Sequence, residues 1–102
     1  MARFDVHRNL SDDTTVPFLV DIQSDLLSEL RTRIVIPLIP LPRFGAPMAR
    51  LNPIFAVEGG LHALATTDLA GVDRAVLGQT VGSLDNEADE IMNAVDFLLH
   101  GF

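Results

Sequence analysis

The sequence predicts an α+β domain: several short antiparallel strands build a small barrel-like sheet, and one helix covers its open face or end. Two observations carry this. Up to about residue 83 the chain breaks into short apolar or alternating segments separated by Gly-, Pro- and Asp-bearing turns. After that, one stretch has the periodicity of a helix. At 102 residues the whole of 1–102 is expected to form one domain, with a real core but no room for a deep enclosed site.

Taken in order, Ala2-Arg3-Phe4-Asp5-Val6-His7 alternates polar and apolar residues and predicts a half-buried strand. Residues 8–15 are polar and acidic without periodicity and read as a mobile loop. Val16, Phe18, Val20 and Ile22 mark a second strand, with Pro17 near its start, where a missing N–H is tolerated. Ile34-Val35-Ile36-Pro37-Leu38 is continuously apolar and suits a central strand covered on both faces, or with one face on the core and the other at a subunit interface, with Pro37 marking where its last residues leave the ladder. Residues 37–53 hold five of the six prolines, yet are too apolar for a solvated linker, and predict an ordered extended loop or a small irregular sheet. Ile54-Phe55-Ala56-Val57 and Leu61-His62-Ala63-Leu64-Ala65 flank Glu58-Gly59-Gly60 and predict a hairpin. Residues 66–71 read as a turn region. Ala75-Val76-Leu77 and Thr80-Val81 form a last strand interrupted at Gly78.

The terminal stretch carries the helix. Ala88, Ile91, Met92, Val95, Leu98, Leu99 and Phe102 fall on one face, with Asp85 as the expected N-cap and Glu87, Asp89 and Glu90 at the positive end of the dipole. Gly101 is the natural stop. This leaves His100, Gly101 and Phe102 as a short tip. Two readings of the tip stay open, a helix docked on the sheet with Phe102 folded back, or an aromatic probe for a partner. The pattern alone favours the first.

Composition narrows the function. Hydrophobic residues make up 48% of the chain, more apolar surface than one small core hides, and a symmetric homodimer would cover the remainder. No apolar run reaches the roughly 18 to 20 residues that span a bilayer, and the first residues do not open a signal peptide. The chain has no cysteine, so neither disulfides nor thiolate chemistry are available, and a cytoplasmic location is expected. The formal charge of −7 opposes unaided binding to nucleic-acid phosphates. All seven basic residues are Arg. Arg31 and Arg33 would share a strand face, either as a solvated strand end or as an anion site.

No catalytic constellation emerges. His7, His62 and His100 lie in different elements without a second His at i+3 or i+4, so neither a metal site nor any other cofactor is expected. His62 is expected on the surface of its hairpin strand. Ser24 between Asp21 and Asp25 suits turn capping far better than nucleophilic catalysis.

Four segments together carry a family resemblance. Phe18-Leu19-Val20-Asp21-Ile22-Gln23-Ser24-Asp25-Leu26-Leu27, Ile34-Val35-Ile36-Pro37-Leu38, Thr66-Thr67-Asp68-Leu69-Ala70-Gly71-Val72 and Asn93-Ala94-Val95-Asp96-Phe97-Leu98-Leu99-His100-Gly101-Phe102 occur in order and at matching spacing. In these the chain resembles the CcdB toxins of bacterial toxin–antitoxin pairs, colinearly from Met1 to Phe102.

The resemblance implies an SH3-like small antiparallel β-barrel with a C-terminal α-helix, shared with the MazF ribonuclease toxins, and a homodimer. It implies a toxin that binds the DNA gyrase A subunit, traps the complex with cleaved DNA and breaks no bond itself. It places the gyrase-binding residues at Ser24, Leu26 and Leu27 after the second strand, and at Asp96, Leu99, His100, Gly101 and Phe102 at the helix end. Two positions depart from the family pattern, His100 where a Trp stacks on a gyrase arginine and Asp96 where an Asn stands. The implied second partner is a CcdA-like antitoxin, with the 8–15 loop and exposed sheet edges as candidate contacts. A MazF-like ribonuclease and a non-toxic antitoxin-binding relative are the alternatives.

Overall fold

The computed structural model describes residues 1–101. Strands β1 (Asp5–Asn9), β2 (Phe18–Asp21), β3 (Thr32–Pro40), β4 (Ile54–Val57), β5 (Gly60–Leu64), β6 (Ala70–Asp73) and β7 (Leu77–Ser83) are joined by short turns. One helical turn, α1 (Leu41–Phe44), follows β3, and α2 (Ala88–His100) follows β7. The strands make one seven-stranded antiparallel sheet in the order β4-β5-β3-β2-β1-β7, with β6 beside β3. The result is a curled half-barrel with a C-terminal helix, as the sequence predicts. The β4 and β7 edges face a narrow seam lined by Val6, Ala56, Val57 and residues 81–84.

β3 organises the sheet because it changes partner along its length. Residues Thr32 to Val35 pair with β6, and Leu38 to Pro40 pair with β5, while β2 runs along its other side. Pro37 does not leave the ladder: it pairs with Leu19, and its carbonyl accepts the Ala65 N–H at the junction between the two partners. A missing N–H is harmless there, because at Pro37 β3 has passed from β6 and not yet met β5.

Cross-strand register builds the core. Val6, Val20 and Ile36 lie in one row across β1, β2 and β3, and Phe18, Leu38 and Leu64 lie in a second across β2, β3 and β5. Both rows are buried against Ile91, Ala94 and Val95 of α2. Burying Ile91 or Val95 contributes about 1.5 to 3 kcal/mol each and Ala94 less, so this face docks the helix firmly. The opposite sheet face carries a smaller cluster of Leu19, Val35 and Leu77. β3 is thus apolar on both faces, which accounts for its unbroken run.

Several expected boundaries move. The first strand begins at Asp5 because Phe4 takes a left-handed φ of 71° in a turn closed by the Asp5 N–H to the Ala2 carbonyl. It runs on to Asn9, so the following loop is shorter than expected. Residues 66–71 split into a 3-10 turn (Thr66–Asp68) and the start of β6, which lacks the apolar alternation that would have revealed it. β7 is not interrupted at Gly78; it is bulged against β1 instead, with register shifts between His7 and Asn9 and between Val6 and His7. A side chain at Gly78 would lie 2.9 Å from Leu10 Cδ2 and 3.1 Å from the Arg8 carbonyl oxygen, so the β1 backbone leaves it little room. The hairpin is as expected, with Glu58 and Gly59 at φ 48° and 80°, the positive values that a two-residue connection needs to match strand twist.

Asp85 does not cap α2. It starts a 3-10 turn (Asp85–Glu87), and the helix proper opens at Ala88 with no side-chain cap. Gly101 ends α2 as expected, at φ 78° with its N–H bonded to the Phe97 carbonyl. No helix among the described residues is long and apolar enough to cross a membrane.

Candidate functional site

The site residues implied by the resemblance fall in two segments, the turn after β2 and the end of α2. The turn is a 3-10 helix (Asp25–Leu27) capped by Ser24, whose Oγ accepts the Leu26 N–H at 3.2 Å. Ser24 therefore does the capping work its sequence context suggests. Gln23 locks the turn from beneath: its side-chain amide donates to the Leu27 carbonyl at 2.9 Å, and its oxygen accepts the Ile34 N–H at 3.0 Å. So fixed, the turn holds Leu26 94% and Leu27 49% exposed. An apolar side chain almost wholly in water on a rigid turn is not serving the core.

On α2, the buried face is Ile91, Ala94 and Val95. Met92, Asp96 and Leu99 recur at i, i+4 and i+7 and so make a neighbouring stripe along the helix. Asp96 and His100 are exposed and Leu99 is 67% exposed. His100 forms the last helical residue before Gly101. Phe102 lies outside the described residues.

Arg3 joins the two segments, a link no sequence signal announced. Its backbone N–H donates to Asp25 Oδ1 at 2.9 Å, and its Nε donates to the Ile22 carbonyl at 3.0 Å. Its Nη2 reaches Met92 Sδ at 3.5 Å, and its guanidinium lies 4.8 Å over the Phe4 ring. The turn thus sits beside the first part of the Met92–Asp96–Leu99 stripe. Leu26 and Leu27 are exposed on the turn, and Asp96, Leu99 and His100 are exposed farther along α2.

On the helix's other flank, Arg50 lies 4.6 Å over the Phe97 ring and lines a groove of about 440 Å³ with Pro53, Glu90 and Asn93. Arg50 has a left-handed φ of 72°. Nothing in the sequence around it distinguishes it from a solvated arginine.

The remaining candidates are absorbed by structure. His62 is buried rather than exposed: register with Phe55 turns it inward, edge-on to Phe18 at 5.2 Å, with Nδ1 3.0 Å from the Gly60 carbonyl oxygen. Leu61 takes the outward position instead. His7 is buried between β1 and β7, with Nδ1 3.2 Å from the Gly78 carbonyl oxygen. Arg33 binds a carboxylate, but one of its own chain, Asp21, and both are fully buried. Arg31 stands just before the strand and pairs with Asp73 in solvent. The two arginines therefore do not form an anion site. Among the described residues no three His, Cys, Asp or Glu side chains cluster in a way that could hold a metal ion.

A family model described as CcdB protein matches residues 3–101. Among solved structures, the chain is similar to an endoribonuclease from Mycobacterial species, with a TM-score of 0.76 and 11% identity over 97% of this chain and 90% of that one. It is also similar to an endoribonuclease in complex with its cognate antitoxin from Mycobacterial species, with a TM-score of 0.77 and 10% identity over 97% and 94%. A third is the Mycobacterium tuberculosis toxin MazF-mt6, with a TM-score of 0.76 and 10% identity over 93% and 95%. At these identities the likeness to solved structures is one of fold.

Proposed function

The chain belongs to the CcdB family, and from that premise we propose that it is the toxin of a toxin–antitoxin pair, acting as a non-enzymatic poison of DNA gyrase. The observation that supports this reading is the pair of exposed leucines on a locked turn, Leu26 and Leu27, together with the exposed Leu99 and His100 at the end of α2. Such a surface suits docking to a protein, since apolar residues clustered in water on rigid elements gain energy only when something covers them. Of the nucleophile and histidine candidates, Ser24 caps a turn, and His7 and His62 are buried in hydrogen bonds to carbonyls.

In this reading the toxin is a cytoplasmic homodimer. Its dyad sets two helix tips side by side, able to wedge between the two arms of the gyrase A subunits while DNA is held cleaved. Ser24, Leu26, Leu27, Asp96, Leu99, His100, Gly101 and Phe102 form the gyrase-binding surface. Gly101 lets the backbones approach closely. A CcdA-like antitoxin is the second partner, and one similar structure is described in complex with its cognate antitoxin.

The test is a pull-down of the host's gyrase A dimerisation fragment by the full chain and by a chain lacking Gly101 and Phe102. Capture by the full chain alone, with both proteins equally folded, supports the reading. Equal capture by both, or equal toxicity on expression, refutes a mechanism through the tip.

A ribonuclease is the second reading, favoured by the shared fold with endoribonucleases at TM-scores of 0.76 and 0.77. It needs a general base and phosphate-stabilising groups in one groove. Sequence-specific cleavage of RNA by the purified chain would establish it in place of the gyrase reading.

A further inference from the structure

We infer that Arg3 is a positioning residue for the partner-binding surface, setting the distance and angle between the 24–27 turn and helix α2; the functional part of this inference rests on the gyrase reading above.

The geometry points to it in three ways. First, the guanidinium spends its donors on two different segments: Nε bonds the Ile22 carbonyl at the base of the turn, and Nη2 meets the Met92 sulfur on the helix. A planar fork with fixed donors can hold two acceptors in one geometry, as a flexible ammonium cannot. Second, residue 3 is held at both ends, by its backbone and by its guanidinium. The Arg3 N–H binds Asp25 Oδ1 within the turn, and the guanidinium rests on the buried Phe4 ring.

Third, the backbone next to Arg3 is strained. Phe4 holds φ 71°, a rare value for a bulky residue. Its N–H bonds the Asp21 carbonyl at 2.5 Å, and its carbonyl accepts the Leu84 N–H at 2.8 Å. Residue 4 is thereby pinned between the end of β2 and the approach to α2. Strain of this kind persists where the surroundings over-determine it, and it collects near working surfaces. Here it aims Arg3 into the gap between the two segments.

Neither segment otherwise needs this link in order to fold. Gln23 and Ser24 hold the turn internally, and Ile91, Ala94 and Val95 dock the helix. What Arg3 adds is their mutual placement, which a rigid partner would read, and a tether from the base of the turn to the helix that slows the turn's local opening.

The experiment compares the full chain with Arg3→Ala, Arg3→Met and Arg3→Lys by residue-resolved amide hydrogen exchange, then by calorimetry against the gyrase A fragment. The inference expects exchange at Leu27 and Ser28 to quicken about tenfold in Arg3→Ala, the size of losing one hydrogen bond that holds a local segment. Core amides such as Val20 and Ile36 should stay as slow as in the parent chain. Gyrase affinity should fall about tenfold, chiefly through faster dissociation, with Arg3→Lys between. Met92→Leu, which removes the sulfur acceptor while keeping the volume, should lower affinity in the same direction.

Unchanged exchange at the turn would overturn the inference, as would a uniform rise that includes the core strands, which would make Arg3 a general stabiliser. Should Arg3→Ala fail to fold, Arg3→Met keeps the apolar stem and is judged by the same exchange sites. A parent chain that does not bind gyrase would sink the functional reading above. The exchange results would then still decide whether Arg3 positions the turn.

Discussion

Arg33 Nη2 lies 2.6 Å from Asp21 Oδ2, with neither side chain reached by solvent, and Arg33 Nε donates to the same oxygen at 2.9 Å. Nη1 has no hydrogen-bond partner, and Nη2 meets Asp21 as an ion pair without a well-directed hydrogen bond. The other Asp21 oxygen accepts the Gln23 N–H at 3.0 Å, so the pair also fixes the residue that supports the 24–27 turn. A buried pair of this kind stabilises little against an apolar replacement, but removing one member strands the other charge. Arg33→Met alone is therefore expected to cost about 3 to 5 kcal/mol in urea unfolding. Combining it with Asp21→Leu should recover most of that loss. A double variant no better than the single one would mean that the pair contributes net stability of its own.

Leu26 separates folding from binding. At 94% exposure its side chain touches almost nothing, so Leu26→Ala should change unfolding free energy by less than about 0.5 kcal/mol. In calorimetry against the gyrase A fragment the same substitution should cost about 1 to 2 kcal/mol, as expected of an apolar anchor in a docked surface. Leu99→Ala should behave alike. If both bind as the parent does, the turn and helix end are not the contact surface.

In the proposed gyrase reading, His100 is the residue expected to set the strength of contact. Replacing it with Trp, the residue of the family pattern, enlarges the ring that would stack on a gyrase arginine. His100→Trp is expected to tighten binding by about 0.5 to 2 kcal/mol, the range of cation–π contacts from exposed to desolvated. Titration calorimetry reads the change directly, and equal or weaker affinity would place the arginine elsewhere.

Asp73 carries a pH dependence. The Ala75 N–H, which it accepts at 2.9 Å, and the Arg31 guanidinium at 3.1 Å hold its carboxyl below the ordinary carboxylate value. The folded state therefore keeps fewer protons than the unfolded chain between that depressed value and the ordinary 3.8. Its stabilising contribution is complete above this window and is lost as pH falls through the folded value. Melting temperature recorded from about pH 5 down to about pH 2 should fall less steeply for Asp73→Asn than for the parent chain. A carbon-detected titration of the Asp73 carboxyl would show the lowered midpoint. Arg31→Ala should raise that midpoint only partly, since the Ala75 bond remains.

Elements with a repeating local signal were legible in the sequence. Ile91 and Val95 gave away the buried face of α2, Gly101 its end, and Glu58-Gly59 the hairpin turn. The turn-capping role of Ser24 was equally clear, because it depends on residues one or two places away. β6 was missed because its exposed Ala70-Gly71 carries no alternation and is held only by pairing with β3. His62 was misplaced by one face because the strand's buried side is set by register with Phe55, and the hairpin's apolar residues lie on both sides. Arg33 was misread because the carboxylate it binds, Asp21, stands on the neighbouring strand.

From its residues alone, this chain declares an acidic α+β domain of short antiparallel strands, ending in a helix with a glycine stop and carrying the segments of the CcdB family. Those properties follow from local periodicity, turn chemistry and colinear motifs. The tertiary structure alone decides that Arg3 joins the 24–27 turn to Met92, that Arg50 rests on Phe97, and that Asp21 and Arg33 share a dry interior. The reason is physical: such contacts join residues up to 89 positions apart. Their partners are chosen by strand register and helix docking, which no local pattern records.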